Sequence, residues 1–279
     1  MRIAVGQMTS VNSHAKNLSV VERLARKAAR ESCNMLFLPE ASAFLGETSQ
    51  ETVAQAQELD TSTVVERFRD LAKEHSLNIS FCLHEAAGGE KAYNTQVVLD
   101  ERGEIKARYR KVHLFDVDVP RGPVLKESRY TVGGTDLVSC DVGGSFVLGL
   151  TTCYDLRFPE MYQALRYCHG VNLFSVPSAF TKPTGQAGHW STLLRARAIE
   201  NQSYIVASAQ AGRHSERRES FGHSMIIDPW GVVVAELGPE ETDIAICDLN
   251  PKLVESVRQR MPIDQHREVG RAALGWDKK

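Results

Sequence analysis

Short apolar runs alternate along this chain with longer stretches in which apolar residues recur every three or four positions. The first run, residues 3–7, predicts a strand, and Leu18, Val21, Leu24, Ala25 and Ala28 after it share one helical face. Residues 35–38 predict a second strand, and Val64, Phe68, Leu71 and Ala72 mark a second helix. Further strands are expected at residues 79–83, 95–99, 146–151, 173–176, 204–209, 224–227, 232–235 and 244–247. Asp100-Glu101-Arg102-Gly103 lies between two extended runs and predicts a hairpin. Asp228-Pro229-Trp230-Gly231 reads as a tight turn joining an antiparallel pair.

The strand–helix–strand succession in the N-terminal half and around Cys153 calls for parallel, buried strands, to which the hairpins add antiparallel ones. The expectation is one α/β domain with mixed sheets over residues 1–250, since no linker, repeat or low-complexity tract divides the chain. From Pro251 the sequence is basic and helix-like, then loosens around Met261-Pro262. Residues 251–279 are therefore expected to form a C-terminal arm packing on the domain or on a neighbouring subunit.

Bulk composition narrows the function classes. With 279 residues, 42% of them hydrophobic and 24% charged, the chain has an ordinary globular make-up. A net charge of -2 leaves no electrostatic footprint for nucleic acid. No apolar stretch approaches the roughly 20 residues that cross a bilayer, so no membrane partner is expected either. Met1 leads straight into a strand pattern, which makes the cytoplasm the expected location, or the mitochondrion if a targeting peptide precedes this sequence. The six cysteines (Cys33, Cys82, Cys140, Cys153, Cys168 and Cys247) are scattered, without pairs or histidine clusters at metal-ligand spacing. No metal site is expected.

Three runs end on a chemically useful group: Glu40 after Met35-Leu36-Phe37-Leu38-Pro39, Lys111 after Tyr109-Arg110, and Cys153 after Leu150-Thr151-Thr152. A thiol at a strand-to-helix junction is expected to be exposed, with the helix N-terminus favouring its thiolate. Carboxylate, ammonium and thiol together are the parts of thiol-based hydrolysis. Glu40 would take the thiol proton, while Lys111 and the Tyr154 N–H would receive the oxyanion. Taken singly, each has a plainer role. A Glu after Pro is usually a solvated loop residue, and Lys111 follows Arg108 and Arg110 in a run that reads as a solvated face. His113 and His189 invite a Cys–His dyad, but packed, hydrogen-bonded histidines are the commoner outcome.

Phe37-Leu38-Pro39-Glu40, Tyr109-Arg110-Lys111-Val112-His113-Leu114 and Cys153-Tyr154-Asp155-Leu156-Arg157-Phe158-Pro159-Glu160 resemble, in order, the three signature motifs of the nitrilase superfamily. The likeness extends over nearly the whole chain, including Gly222-His223-Ser224-Met225 and Asp228-Pro229-Trp230-Gly231. It implies an α-β-β-α sandwich and a Glu40–Lys111–Cys153 triad. A second functional glutamate is implied at Glu127, in Gly122-Pro123-Val124-Leu125-Lys126-Glu127-Ser128. It also implies no metal or organic cofactor, and a homodimer or higher homo-oligomer.

Within that superfamily the chain is similar to the Nit branch of ω-amidases and deaminated glutathione amidases. Pro159 in the nucleophile motif, Ser178 in Pro177-Ser178-Ala179-Phe180, and Ala209-Gln210-Ala211-Gly212-Arg213-His214 with Arg217, Arg218 and Glu219 lean toward the second group. The expected reaction is cleavage, through a thioester, of the amide of deaminated glutathione to 2-oxoglutarate and Cys-Gly. The alternatives are an ω-amidase acting on 2-oxoglutaramate or 2-oxosuccinamate, and a non-catalytic interaction protein on the same fold. A small acidic amide calls for arginines, which grip carboxylates bidentately. Arg157 and Arg213 are the arginines expected to bind substrate, with Tyr154, Phe180 and Thr181, while Arg195 and Arg197 are expected to support the helix after His189-Trp190. Two departures bear on the pocket: Gly188 is an extra residue before His189-Trp190, and Thr152 replaces a common aliphatic.

Overall fold

In the computed structural model, residues 1–118, 124–216 and 218–267 are described. The first half runs β1 (Arg2–Gly6), α1 (His14–Arg30), β2 (Met35–Phe37), α2 (Ser49–Ala54), α3 (Thr63–His75), β3 (Asn78–Ala86), β4 (Ala92–Leu99) and β5 (Ile105–Arg110). A small ribbon, β6 (Asp116–Asp118) with β7 (Val124–Lys126), leads to β8 (Ser139–Asp141), β9 (Val147–Leu150) and α4 (Pro159–Cys168). Then follow β10 (Leu173–Ser175), α5 (Lys182–Gln186), α6 (His189–Asn201), β11 (Tyr204–Ala207), and a second ribbon of β12 (Ala211–Arg213) and β13 (Glu219–Phe221). The last elements are β14 (Met225–Ile227), β15 (Val233–Glu236), β16 (Ile244–Asp248), α7 (Pro251–Arg260) and α8 (Ile263–His266).

Two mixed six-stranded sheets carry the fold, ordered β16-β1-β2-β3-β4-β5 and β15-β14-β11-β10-β9-β8. Strand alternation explains how they stack. In β1 and β2, Ile3, Val5, Met35 and Phe37 enter the core shared with Leu148, Leu150 and Ile226 of the other sheet. The intervening Ala4 and Leu36 join Val21, Leu24 and Phe68 of α1 and α3 in a separate outer core. On the far side, Leu165 of α4 and Trp190 and Leu194 of α6 cover the second sheet. The layers are thus helices, sheet, sheet, helices, the α-β-β-α sandwich. One buried polar bridge crosses the middle: Gln96 Nε2 donates to Ser80 Oγ (2.8 Å) and to Ser175 Oγ of the opposite sheet (2.6 Å).

The expected strands are all present, within a few residues of their expected ends. The two ribbons are additions. Both are short and lack apolar alternation, so periodicity gave no sign of them. α7 packs on its own chain: Val254 and Val257 are buried, and Arg258 donates to the carbonyls of Gln202 and Val171, both at 3.2 Å. The rest of the expected arm, residues 268–279, lies outside the described residues.

Candidate active site

Glu40, Lys111 and Cys153 leave three different strands and meet. Glu40 follows β2, Lys111 follows β5, and Cys153 follows β9. Each is at most 8% exposed, and so is Glu127, which opens the 3-10 turn Glu127–Arg129. Lys111 Nζ donates to Glu127 Oε2 at 2.8 Å and to Glu40 Oε1 at 3.2 Å. Asn94 Nδ2, from β4, bridges the two glutamates at 2.8 and 3.3 Å. Glu40 Oε2 accepts the Ala179 N–H (2.8 Å), and Glu127 Oε2 that of Phe115 (2.7 Å).

A strained backbone sets the position of Cys153. Cys153 has φ 49, the left-handed region rarely used by a residue with a side chain. Its N–H donates to Pro177 O at 2.9 Å, and the residue opens the 3-10 turn Cys153–Arg157. Asp155, fully buried in that turn, accepts from Thr152 N (2.8 Å), Tyr109 Oη (2.7 Å), His113 N (3.1 Å) and the His113 ring (2.7 Å). Arg197 closes the turn from α6 through two bonds to Leu156 O, at 3.0 and 2.8 Å.

The thiol is not the exposed, helix-activated group that the strand-to-helix junction suggests. It is buried, and the turn that follows it is five residues of 3-10 helix, too short to carry much dipole. Burial, and then the Glu40 carboxylate, push the Cys153 thiol well up, against the pull of Lys111. Glu40 goes the other way. Burial would raise it, but the Lys111 ammonium, the Cys153 thiol, the Ala179 N–H and Asn94 together bring it down to about 2. Lys111 is disfavoured by burial yet held well above its ordinary value by Glu127 and Glu40. The resting site is therefore a neutral thiol beside a carboxylate and an ammonium.

These four residues line a cavity of about 920 Å³. Its described walls are residues 45–49 with Thr52, Phe115 with Val124, Leu125 and Lys126 of the first ribbon, Arg129 and Tyr130, α5, and Arg218 and Glu219 at the second ribbon. Of the expected substrate-binding residues Thr181 is in the lining, whereas Tyr154, Arg157, Phe180 and Arg213 are not. Tyr154 backs the wall residue Phe115, ring to ring at 5.0 Å. Phe180 packs on Trp190, and Arg157 lies over the Phe180 ring (5.7 Å) with His189 Nδ1 at 3.2 Å. Arg213 is exposed on β12, paired with Glu219 across the second ribbon, and does not reach the lining.

Several plainer expectations hold. His113 stacks on Phe158 at 3.6 Å and serves Asp155, away from the thiol. Arg195 donates to Gly231 O (2.9 Å), and Arg197 supports the turn that Cys153 opens. Lys111, by contrast, is no part of a solvated face, being 2% exposed. The extra Gly188 is the left-handed residue (φ 83) between α5 and α6. Asn94, Asp155, Arg129 and Arg218 are functional candidates that the sequence reading missed. Asn94 and Asp155 gave no signal beyond their neighbourhood, and Arg218 entered only as part of the segment that separates the two amidase groups, with nothing local to place it at the cavity. Among the described residues, no group of three or more His, Cys, Asp or Glu side chains could hold a metal ion.

Residues 2–259 match the carbon-nitrogen hydrolase family. The chain is 43% identical to a deaminated glutathione amidase of Dictyostelium discoideum, over 96% of this chain and 94% of that one. It superposes on the crystal structure of the Caenorhabditis elegans NitFhit protein with a TM-score of 0.86 and 39% identity, covering 96% of this chain and 65% of that fusion protein. The Saccharomyces cerevisiae Nit3 structure, from branch 10 of the nitrilase superfamily, follows at a TM-score of 0.84 and 28% identity, with 96% and 97% covered.

Proposed function

The chain belongs to the carbon-nitrogen hydrolase family, and on that premise we propose that it is a cysteine-dependent amidase that hydrolyses deaminated glutathione. The observation that carries the reading is the meeting of Cys153, Glu40, Lys111 and Glu127 in one large cavity. Deaminated glutathione is a 2-oxo acid joined through an amide to Cys-Gly, and water converts it to 2-oxoglutarate and Cys-Gly.

Cys153 Sγ attacks the amide carbon while Glu40 takes the thiol proton. With the thiol pushed up and Glu40 held down, that transfer is unfavourable in the empty site. It becomes favourable only as negative charge passes from sulfur to the amide oxygen. Lys111 Nζ and the Tyr154 N–H, one of the first amides of its turn and so without a partner inside it, meet that oxygen. Each such donor is typically worth about a hundred- to a thousandfold in rate. Protonated Glu40 then passes its proton to the departing amine, and Cys-Gly leaves a thioester. Water, deprotonated by Glu40, attacks the thioester, the proton returns to sulfur, and 2-oxoglutarate is released. Glu127 keeps Lys111 charged and aimed, at 2.8 Å from its ammonium.

A pocket of this size suits a tripeptide-like ligand, since small-molecule sites run from about 300 to 1,000 Å³. Steady-state kinetics on deaminated glutathione and 2-oxoglutaramate, with Cys153→Ala as blank, test the reading. A tenfold higher kcat/KM for deaminated glutathione, about 1.4 kcal/mol of transition-state discrimination, supports it. The reverse preference makes the protein an ω-amidase. The pairing of two copies is part of the same reading. It is supported by exposed Trp230 and Val232 flanking Gly231, which abuts the exposed Ile199 of α6. Trp230→Asp should then shift the sedimentation coefficient from dimer toward monomer; an unchanged value removes this face from the interface.

A further inference from the structure

Several charges that face the cavity are paired within it. Lys111 serves Glu40 and Glu127, and Lys182 Nζ lies 2.6 Å from Glu219 Oε1. Lys126, which has no ion pair within 4.0 Å among the described residues, stands opposite Asp116 across the first ribbon and adds to the lowering of that carboxylate. Two guanidinium groups stand out as cations able to grip a carboxylate with both arms of a fork. Arg129 closes the turn that Glu127 opens, and Arg218 sits at the tip of the second ribbon. Both line the cavity and both are exposed. Among the described residues neither has a carboxylate within the 4.0 Å of an ion pair.

Arg218 is held in place by its backbone. Its carbonyl accepts the N–H groups of His214 (3.0 Å) and Ser215 (3.4 Å), which closes the tip. His214 in turn anchors the ribbon, with Nδ1 at 2.8 Å from Ser10 O and Nε2 at 2.8 Å from Ser220 Oγ. Burial lowers His214 to about 4 despite the bond to Ser10, and the charge of Arg218 adds to the lowering. The ring is thus neutral near pH 7, donating through Nδ1 to the Ser10 carbonyl and accepting at Nε2 from the Ser220 hydroxyl. The Arg218 charge also acts on His84 and on Tyr130, the neighbour of Arg129, both of which line the same cavity. Exposed cations need no protein partner for stability, because water screens them. A carboxylate drawn from water into the cavity does need a cation.

We propose that Arg218 and Arg129 form the subsite for the distal carboxylate of the substrate, the glycine end of its Cys-Gly half. This rests on the substrate reading given above and says how that substrate is told from a primary amide. Glu40, Lys111, Glu127 and Cys153 lie deep, while the two arginines stand at the exposed rim. The Cys-Gly arm is the longer of the two arms of deaminated glutathione, and so the one that reaches from the thiol to the rim. Guanidinium forks match a carboxylate bidentately, which a primary amide leaving as ammonia cannot exploit.

The test is the ratio of kcat/KM for deaminated glutathione to that for its C-terminal carboxamide, in the wild type, Arg218→Gln, Arg129→Gln and the double variant. The wild-type ratio should be at least tenfold. Each single change should reduce it, mainly through KM, and the double variant should bring it near one. Retention of the wild-type ratio by the double variant overturns the subsite. Equal losses on both substrates overturn it too, because the arginines would then hold a shared part of the ligand. If the wild type prefers 2-oxoglutaramate to deaminated glutathione, the substrate reading and this subsite fall together. A preference for deaminated glutathione that survives in the double variant removes only the subsite.

Discussion

Tyr109 and Asp155 are joined by a buried hydrogen bond of 2.7 Å from the phenol to Oδ2, which ties the strand leading to Lys111 to the turn carrying Cys153. The phenol also receives the Val112 N–H at 3.1 Å, so one side chain organises both approaches to the site. Tyr109→Phe removes a bond to a carboxylate without opening a cavity. It should cost about 1.5–3 kcal/mol of stability, as bonds to charged groups do. kcat should fall with little change in KM, because Tyr109 acts through the placement of Lys111 and Cys153. Urea unfolding and steady-state kinetics on the same variant check both halves; wild-type stability would mean that the turn holds without this bond.

Lys111→Met should be worse than the loss of one catalytic group. It leaves Glu40 and Glu127 buried without the cation that separates them. Breaking a buried ion pair from one side typically costs about 3–5 kcal/mol. Turnover should vanish and the unfolding midpoint should drop. Adding Glu127→Gln to Lys111→Met should recover part of the stability, since one uncompensated carboxylate disappears. No recovery in the double variant would show that the lysine stem, not the charge pairing, carries the stability.

The Cys153 thiol should be a poor nucleophile toward iodoacetamide at pH 7 in the free protein. Its protonated form is favoured by burial and by Glu40, so alkylation should keep accelerating as pH rises past 9.0, the ordinary thiol value. Glu40→Gln removes the largest charge opposing the thiolate and should shift that profile to lower pH. Mass-spectrometric alkylation rates between pH 6 and 10 (values spanning about the free-thiol pKa) decide it; a rate already saturated at neutral pH would contradict the assigned resting state.

Stability should respond to acid through Glu40. Its folded value, about 2, lies below the ordinary 4.5. The unfolded chain therefore binds the proton first, and the contribution of Glu40 is fully present above 4.5 and lost as pH falls toward 2. The raised thiol gives the opposite sign, with stability present below 9.0 and lost at higher pH. Unfolding free energies measured across pH should show a shallower acid slope in Glu40→Gln than in the wild type.

The glycines around α5 separate shape from strain. A Cβ at Gly185 would lie 2.1 Å from Cγ of Phe221, so Gly185→Ala must displace α5, a cavity wall, and should raise KM. Gly188→Ala meets open space and suffers only its φ of 83, a cost of about 1–2 kcal/mol. It should lower the melting temperature while KM stays close to wild type. Equal KM effects from both changes would mean that the α5–α6 junction, more than the Gly185–Phe221 contact, shapes the pocket.

The main strands of both sheets, the helices after β1 and before β3, and the residues Glu40, Lys111 and Cys153 are legible along the chain, because each rests on a local pattern, whereas the ribbons and the short helices are not. Apolar spacing tells a strand from a helix, and a charged residue after an apolar run marks a strand end. Gly188 was visible as an insertion too, though not as the left-handed joint between two helices. What the local pattern could not supply is depth. Lys111 reads as one more cation after Arg108 and Arg110, and only the sandwich buries it.

Sequence by itself therefore determined the kind of layers and the groups that could do chemistry. Tertiary structure decided their state and surroundings. The partners of Glu40 come from 71 positions away at Lys111 and 139 at Ala179, and Asn94 lies 54 away. Burial and these distant charges, not the short turn after Cys153, fix where the thiol proton rests. Which arginines face the cavity was likewise settled by packing: Arg157 folds back over Phe180, and Arg213 stays outside on its ribbon strand. Arg129 and Arg218 reach the rim because their turns do. Local spacing reports the face of an element, whereas the field at a site depends on every charge the fold brings within a few ångströms of it.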